Sequence, residues 1–251
     1  MRVTVLGKSP SWPDAGGACS GYLVEEGDTA LLLDCGNGVF AKLRQRLHYA
    51  RVDAVVISHL HADHFLDLIP FSYALTHGPG AQGARPALHV PPGAREGLRR
   101  VVGTWGSEDL VEGAFALREY DAREELLAGP LAVRFRRVPH FAVTHAVELR
   151  SATTGGRFTF GADTGPSEDL VAFARDTDLL MLESTIAEPD AEPRGHLTPA
   201  EAGDHAGRAG AKRLVLTHLT DEVDPEWALR EGRRTYEGPL EVAVEGAVYE
   251  V

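Results

Sequence analysis

The chain of 251 residues is poor in cysteine, lysine and long apolar runs, and each scarcity removes a class of protein. Two cysteines, Cys19 and Cys35, cannot build a disulfide framework or a cysteine-based zinc cluster. No apolar run reaches the ~18 residues of a membrane span. The opening residues, Met1 to Leu6, enter a strand-like pattern without a basic and then apolar leader. A cytoplasmic protein with no membrane partner is therefore expected. Lysine is confined to Lys8, Lys42 and Lys212, and acids outnumber bases 37 to 25, for a net charge of -12. Bulk electrostatic gripping of nucleic acid needs a basic surface, so this balance argues against it. Hydrophobic residues at 43 % and charged residues at 25 % are ordinary for a globular chain and exclude disordered, collagen-like and coiled-coil classes. The length permits burial of about 70–75 % of the unfolded surface. With no linker or repeat, the chain reads as one domain over residues 1–251.

Histidine is what the sequence has in excess, with 11 residues, several of them clustered. The patterning around them is regular. Alternation marks strands at 3–6, 21–25 and 30–34, the last two joined by a Gly27-Asp28 turn. A β-branched run at 52–58 predicts a buried strand, and apolar spacing at 65–75 predicts a helix. A loop at 78–86, a short strand at 87–90 and a helix at 91–102 follow. The second half predicts strands at 131–138, 143–152, 157–161 and 178–183, with a helix from Ser167 to about Arg175. Thr198-Pro199-Ala200-Glu201 is a capping box with proline at the first helical position, opening a helix that ends near 207–210. A strand at 213–217, a helix at 225–234 and a hairpin at 240–251, turned at Glu245-Gly246, close the chain. Each half gives strands first and then strand–helix alternation. The expected class is α/β, a four-layer αββα sandwich of two facing sheets with helices outside.

The chemistry is concentrated in Ser58-His59-Leu60-His61-Ala62-Asp63-His64, at the end of the strand predicted at 52–58. Four of the six residues from His59 to His64 are metal-ligand types. Ligands past a strand's carboxyl end converge in a mouth. His59 and His61, two apart, share one side of an extended segment, and Asp63 and His64 fall on the turn, where they can face a second ion.

This run resembles the signature His-x-His-x-Asp-His of the metallo-β-lactamase superfamily. The resemblance continues through Leu32-Leu33-Asp34-Cys35-Gly36, Pro139-His140, Gly161-Ala162-Asp163-Thr164, Gly195-His196-Leu197-Thr198 and Leu216-Thr217-His218-Leu219, the Gly-His segment being similar to the ribonuclease Z branch. It implies one divalent ion on His59, His61 and His140, a second on Asp63, His64 and His218, and Asp163 bridging both. Zn²⁺ suits such ligands, as do Mn²⁺ and Fe²⁺. It also implies hydrolysis by a hydroxide shared between the two ions, with His196 as general acid and Asp63 orienting the hydroxide. Spacing alone identifies neither His140 nor Asp163. By spacing alone, His196 reads as a surface histidine flanking a helix.

Other residues stay open on sequence. Asp34 and Glu183 are either carboxylates that orient ligand imidazoles or ordinary strand-end acids. Cys19 and Cys35 read as small buried residues, His77 as a solvated loop histidine and His145 as a core or rim residue. Arg134, Arg136 and Arg137 either contact a phosphate or form an outer face paired with acids. Trp12, Trp105 and Trp227 are isolated, and no aromatic stacking platform is evident.

Fold alone does not select a substrate. Within the resemblance, the Asp63-His64 pair with His196 favours phosphodiester hydrolysis over the β-lactam, thioester or glyoxalase branches. The tRNA-gripping arm of bacterial ribonuclease Z lies between the third histidine and the bridging aspartate. Here His140 and Asp163 are 23 residues apart, and Gly165 stands where that pattern has arginine. The expectation is a phosphodiesterase for small or single-stranded substrates. A tRNA 3′-processing nuclease, a lactone or thioester hydrolase and a non-enzymatic metal or metabolite sensor are the alternatives. A homodimer is expected by analogy.

Overall fold

A computed structural model describes residues 1–189, 191 and 193–251. The described residues form two seven-stranded sheets. The first holds β1 (Arg2–Gly7), β2 (Gly21–Glu26), β3 (Thr29–Leu33), β4 (Ala54–Val56), β5 (Ala87–Val90) and β6 (Ala116–Glu119). The second holds β7 (Leu126–Ala128), β8 (Leu131–Val138), β9 (Thr144–Ser151), β10 (Arg157–Phe160), β11 (Leu179–Glu183), β12 (Leu214–Thr217) and β13 (Leu240–Val242). The last strand, β14 (Val248–Glu250), returns to the first sheet, so the orders are β14-β1-β2-β3-β4-β5-β6 and β13-β12-β11-β10-β9-β8-β7.

Alternating side chains build the layers. Leu31 and Leu33 enter the inter-sheet core with Phe135, Phe158 and Met181, while Leu32 between them faces the helices. Helices α1 (Val39–Arg44), α3 (Leu68–His77), α4 (Ala94–Gly103) and α5 (Leu110–Ala114) cover that outer face with Leu43, Phe71, Leu98 and Val111; the single turn α2 (Ala62–Phe65) precedes α3. The second sheet mirrors this. Met181 points inward, and Leu180 and Leu182 point outward to α6 (Glu168–Phe173), α7 (Pro199–Ala209) and α8 (Pro225–Gly232). Each fully buried Leu or Phe contributes about 1.5–3 kcal/mol, so three apolar interfaces hold four layers. The αββα sandwich is the observed fold. The capping box forms as read: Thr198 accepts from the Glu201 amide and the Glu201 side chain accepts from the Thr198 amide.

Three expectations need correction. Residues 240–251 do not form a hairpin: β13 pairs in parallel with β12, and β14 pairs antiparallel with β1. Both sheets offer an open edge, and the five residues between the strands can cross the ~10 Å that separates packed sheets. The strand predicted at 52–58 pairs only over Ala54–Val56, because the chain leaves the ladder to carry Ser58–His64 to the rim. The helix predicted at 65–75 is two helices, parted where the Asp67 amide donates to the Cys35 carbonyl (3.0 Å). The α1 and α5 helices and the edge strands β6 and β7 are too short to show a period in the sequence.

β3 to β6 run parallel, as do β10 to β13, so their carboxyl ends open on one rim. Asp34 follows β3, Ala162 follows β10 and His218 follows β12, with left-handed φ of 56°, 54° and 59°. Such a backbone costs roughly 1–3 kcal/mol per non-glycine residue and turns the chain sharply at each strand end. Across the sheets, Tyr22 Oη and Thr217 Oγ1 are hydrogen-bonded at 2.7 Å.

Gly36 lets this rim close. A Cβ there would lie 1.8 Å from the Asp63 carbonyl oxygen. Gly36→Ala must displace α2 and should cost about 1–3 kcal/mol, as overpacking does; an unchanged melting temperature would contradict this packing.

Candidate metal centre

Three groups of side chains that could hold a cation meet at the rim, one of them Glu183, His196 and His218. His59, His61, His140 and Asp163 place one ligand atom each within 4.8 Å of one another, and so do Asp63, His64, Asp163 and His218. Asp163 belongs to both. Its carboxylate lies 3.8 Å from Nε2 of His59 and of His140, 3.2 Å from His64 Nε2 and 3.4 Å from His218 Nε2. His61 Nδ1 lies 3.0 Å from His140 Nε2, and Asp63 Oδ2 lies 3.1 Å from His218 Nε2. All seven residues proposed from the sequence as ligands therefore come together.

The outward ring nitrogens are tied down. His64 Nδ1 is 2.7 Å from Asp34 Oδ2, and the same oxygen accepts from Ser58 Oγ at 2.8 Å. Ser58 Oγ in turn lies 3.1 Å from His59 Nδ1. His140 Nδ1 donates to the Gly195 carbonyl at 2.7 Å, and His218 Nδ1 pairs with Thr185 Oγ1 at 2.7 Å. Asp34 is thus no ordinary strand-end acid; it orients His64 directly and His59 through Ser58. Glu183 is placed equally well, accepting from the Thr164 amide (3.0 Å), from Thr185 Oγ1 (2.6 Å) and from His196 Nδ1 (2.8 Å). His196 lies over His218 (centroids 5.9 Å) and against His140 (5.0 Å), with Nε2 left for the rim.

The donor set fits divalent cations. Three buried polar atoms, His59 Nε2, His64 Nε2 and Asp163 Oδ1, make no hydrogen bond, and the last two approach to 3.2 Å without hydrogen-bond geometry. Buried polar atoms in native proteins are rarely left so, and imidazole with carboxylate is a common cation ligand set. Electrostatics differ between the two groups. Burial holds the imidazoles of His59, His61 and His140 below their ordinary pKa, so their lone pairs are free at neutral pH. His64 is the reverse: burial pulls it down, but Asp163 and Asp34 outweigh that and hold it well above. Burial pushes Asp163 up, yet His218, His64 and His59 hold it well below the carboxylate range. For His196, burial lowers the pKa and Glu183 overrides it, leaving the ring raised.

The other residues settle plainly. Cys19 and Cys35 are buried, Cys35 within the apolar core. His77 is exposed at the end of α3. His145 is buried, its amide donating to Ser58 O at 3.2 Å and its ring beside Tyr120 Oη at 3.3 Å. Arg134 pairs with Glu148, and Arg134 and Arg136 sit over Phe173 of α6, on the outer face. Arg137 donates to the carbonyls of Ala142 and Thr144. Phe141, next to His140, is 64 % exposed. Thr185 was missed, and nothing in its sequence context marks it. Among the described residues no helix is long and apolar enough to cross a membrane.

Comparison with known proteins agrees with this geometry. A family model described as a beta-lactamase superfamily domain matches residues 29–219. The probable metallo-hydrolase YhfI of Bacillus subtilis is 31 % identical over 261 aligned residues, covering 100 % of both chains. A ribonuclease Z of Myxococcus xanthus is 31 % identical over 308, covering 100 % of this chain and 98 % of that one. The crystal structure of YhfI superposes with a TM-score of 0.89 at 28 % identity, covering 100 % of this chain and 99 % of the other.

Asp34→Ala should weaken metal affinity about 10- to 100-fold, the usual effect of losing a group that orients a ligand histidine; unchanged affinity in a metal competition titration would contradict that role. Metal uptake needs an unprotonated nitrogen on each ligand imidazole, and Asp163 and Asp34 hold the pKa of His64 up, so affinity should rise with pH from 6 to 8. A flat affinity over that range, with no dependence of the binding enthalpy on the buffer, would contradict the assignment of charge.

Proposed function

The chain belongs to the beta-lactamase superfamily, and on that premise we propose that it is a dinuclear metal-dependent phosphodiesterase for small or single-stranded substrates. His59, His61 and His140 would hold one ion and Asp63, His64 and His218 the other, with Asp163 shared between the two groups. Zn²⁺ is the preferred cation, with Mn²⁺ and Fe²⁺ compatible with the same N/O donors. When bound, two such ions supply Lewis acidity that ionises water near neutral pH and offsets charge on phosphoryl oxygens.

The observation that carries the reading is the Glu183–His196 pair. Glu183 fixes Nδ1 of His196 at 2.8 Å and holds the ring's pKa up. Nε2 of His196 is thereby aimed beside both ligand groups, and Glu183 favours the ring's protonated form. A departing alkoxide is a poor leaving group until protonated, so an imidazole held there to donate a proton serves phosphodiester cleavage. Asp63, buried and anchored to His218, orients the attacking water.

The ribonuclease Z relative supports a nuclease reading as well. Against tRNA processing, the segment between His140 and Asp163 is used up by β9, the turn at 152–156 and β10.

With Zn²⁺ or Mn²⁺ the protein should hydrolyse bis(p-nitrophenyl) phosphate, and His61→Ala should abolish that turnover. His196→Ala should retain its metal content and lose about 10²–10⁴ in kcat, the range for a general acid. Loss of metal in His196→Ala would make it a ligand or a structural residue, and lactone turnover without phosphodiester turnover would overturn the proposal.

A further inference from the structure

We infer that Phe141 is the platform on which the substrate's nucleobase stacks, so that the diester cleaved at this rim is a nucleotide. The inference rests on the phosphodiesterase reading and names its substrate class. Of nine phenylalanines, the other eight are at most 7 % exposed, whereas Phe141 is 64 % exposed. Single exposed apolar residues are common, but this one is placed beside the reacting groups. Its ring centroid lies 5.3 Å from that of His140 and 6.0 Å from that of His196.

The ring is also held in place. Its segment is tied at Pro139, whose carbonyl accepts from the Gly165 amide at 2.8 Å, and at His140, bonded to Gly195 O. Beyond it, Arg137 Nη1 donates to Ala142 O and Thr144 O at 3.2 and 3.1 Å. One side of the ring rests on Gly195: a Cβ there would lie 2.3 Å from Phe141 Cε2. Glycine therefore seats the ring and leaves the rest of it to solvent.

A phosphodiester held at the ligand groups, with an apolar planar surface beside the general acid, matches a molecule whose phosphate and flat ring are joined through a sugar. Stacking tolerates any base, because every base has a π-face, and contributes about 1–3 kcal/mol per base. At 1.4 kcal/mol per tenfold, that is about 5- to 150-fold in affinity.

The test compares adenosine 5′-monophosphate with ribose 5-phosphate, which differ by the base alone, binding to zinc-loaded protein by calorimetry. The wild type should prefer the nucleotide about 5- to 150-fold. Phe141→Ala and Phe141→Leu should lose that preference, and Phe141→Trp should keep it, with extra indole fluorescence quenched by the nucleotide and not by the sugar phosphate. Leucine preserves apolar bulk without a π-face, so full preference in Phe141→Leu overturns the inference. So does a wild type that binds both probes equally or neither. Absence of bis(p-nitrophenyl) phosphate turnover in the wild type defeats the parent reading instead, whatever the probes show.

Discussion

A carboxylate taken out of water must find compensating charge or hydrogen bonds, and Asp163, ringed by four imidazoles with its Oδ1 unpaired, would find it in the cations that those rings face. Asp163 is buried, and His59, His64, His140 and His218 come within 3.8 Å of its oxygens. Burial of an unpaired charge costs several kcal/mol, so the position of Asp163 constrains all four rings. The same carboxylate is the shared member of both candidate ligand groups. The rim therefore works as one electrostatic unit rather than two separate clusters.

The sandwich supplies the convergence that this unit needs. Asp34, His59, Asp163, Glu183 and His218 all stand at or just past the carboxyl ends of strands from two facing sheets. Strained turns at Asp34, Ala162 and His218 re-aim the chain there. The outward ring nitrogens of His59, His64, His140 and His218 are then fixed by Ser58, Asp34, Gly195 O and Thr185, so their inward nitrogens keep their aim. Glu183 ties the acid side to the ligand side, because it touches both His196 and the Thr185 that holds His218.

Much of this was legible in the sequence, for identifiable reasons. Regular alternation in buried strands such as Leu131–Val138 marks them cleanly, and His59 to His64 is a local run that needs no tertiary knowledge. His140, Asp163 and His218 are isolated in sequence, so only the resemblance to a known family reached them. Thr185 and Phe141 were out of reach because their importance lies in what they stand beside. The closing hairpin was misread because a turn signal at Glu245-Gly246 says that the chain reverses, not which sheet receives it. Short elements such as the six-residue α1 and the edge strand β6, with Arg118 and Glu119 exposed, span too few residues for a periodic pattern to show.

The acid-rich composition and the arrangement of the rim point the same way. A chain of net charge -12 draws no nucleic acid by bulk attraction, so affinity must come from the site itself. In the proposed reading, the cations that these imidazoles and carboxylates would hold, with His196 and an exposed ring beside them, grip one small diester. The most direct test of the central claim is anomalous scattering from crystals grown with zinc. Two peaks should flank Asp163, one among His59, His61 and His140 and the other among Asp63, His64 and His218. A rim with no peak, or with zinc bound by other residues, would contradict the account.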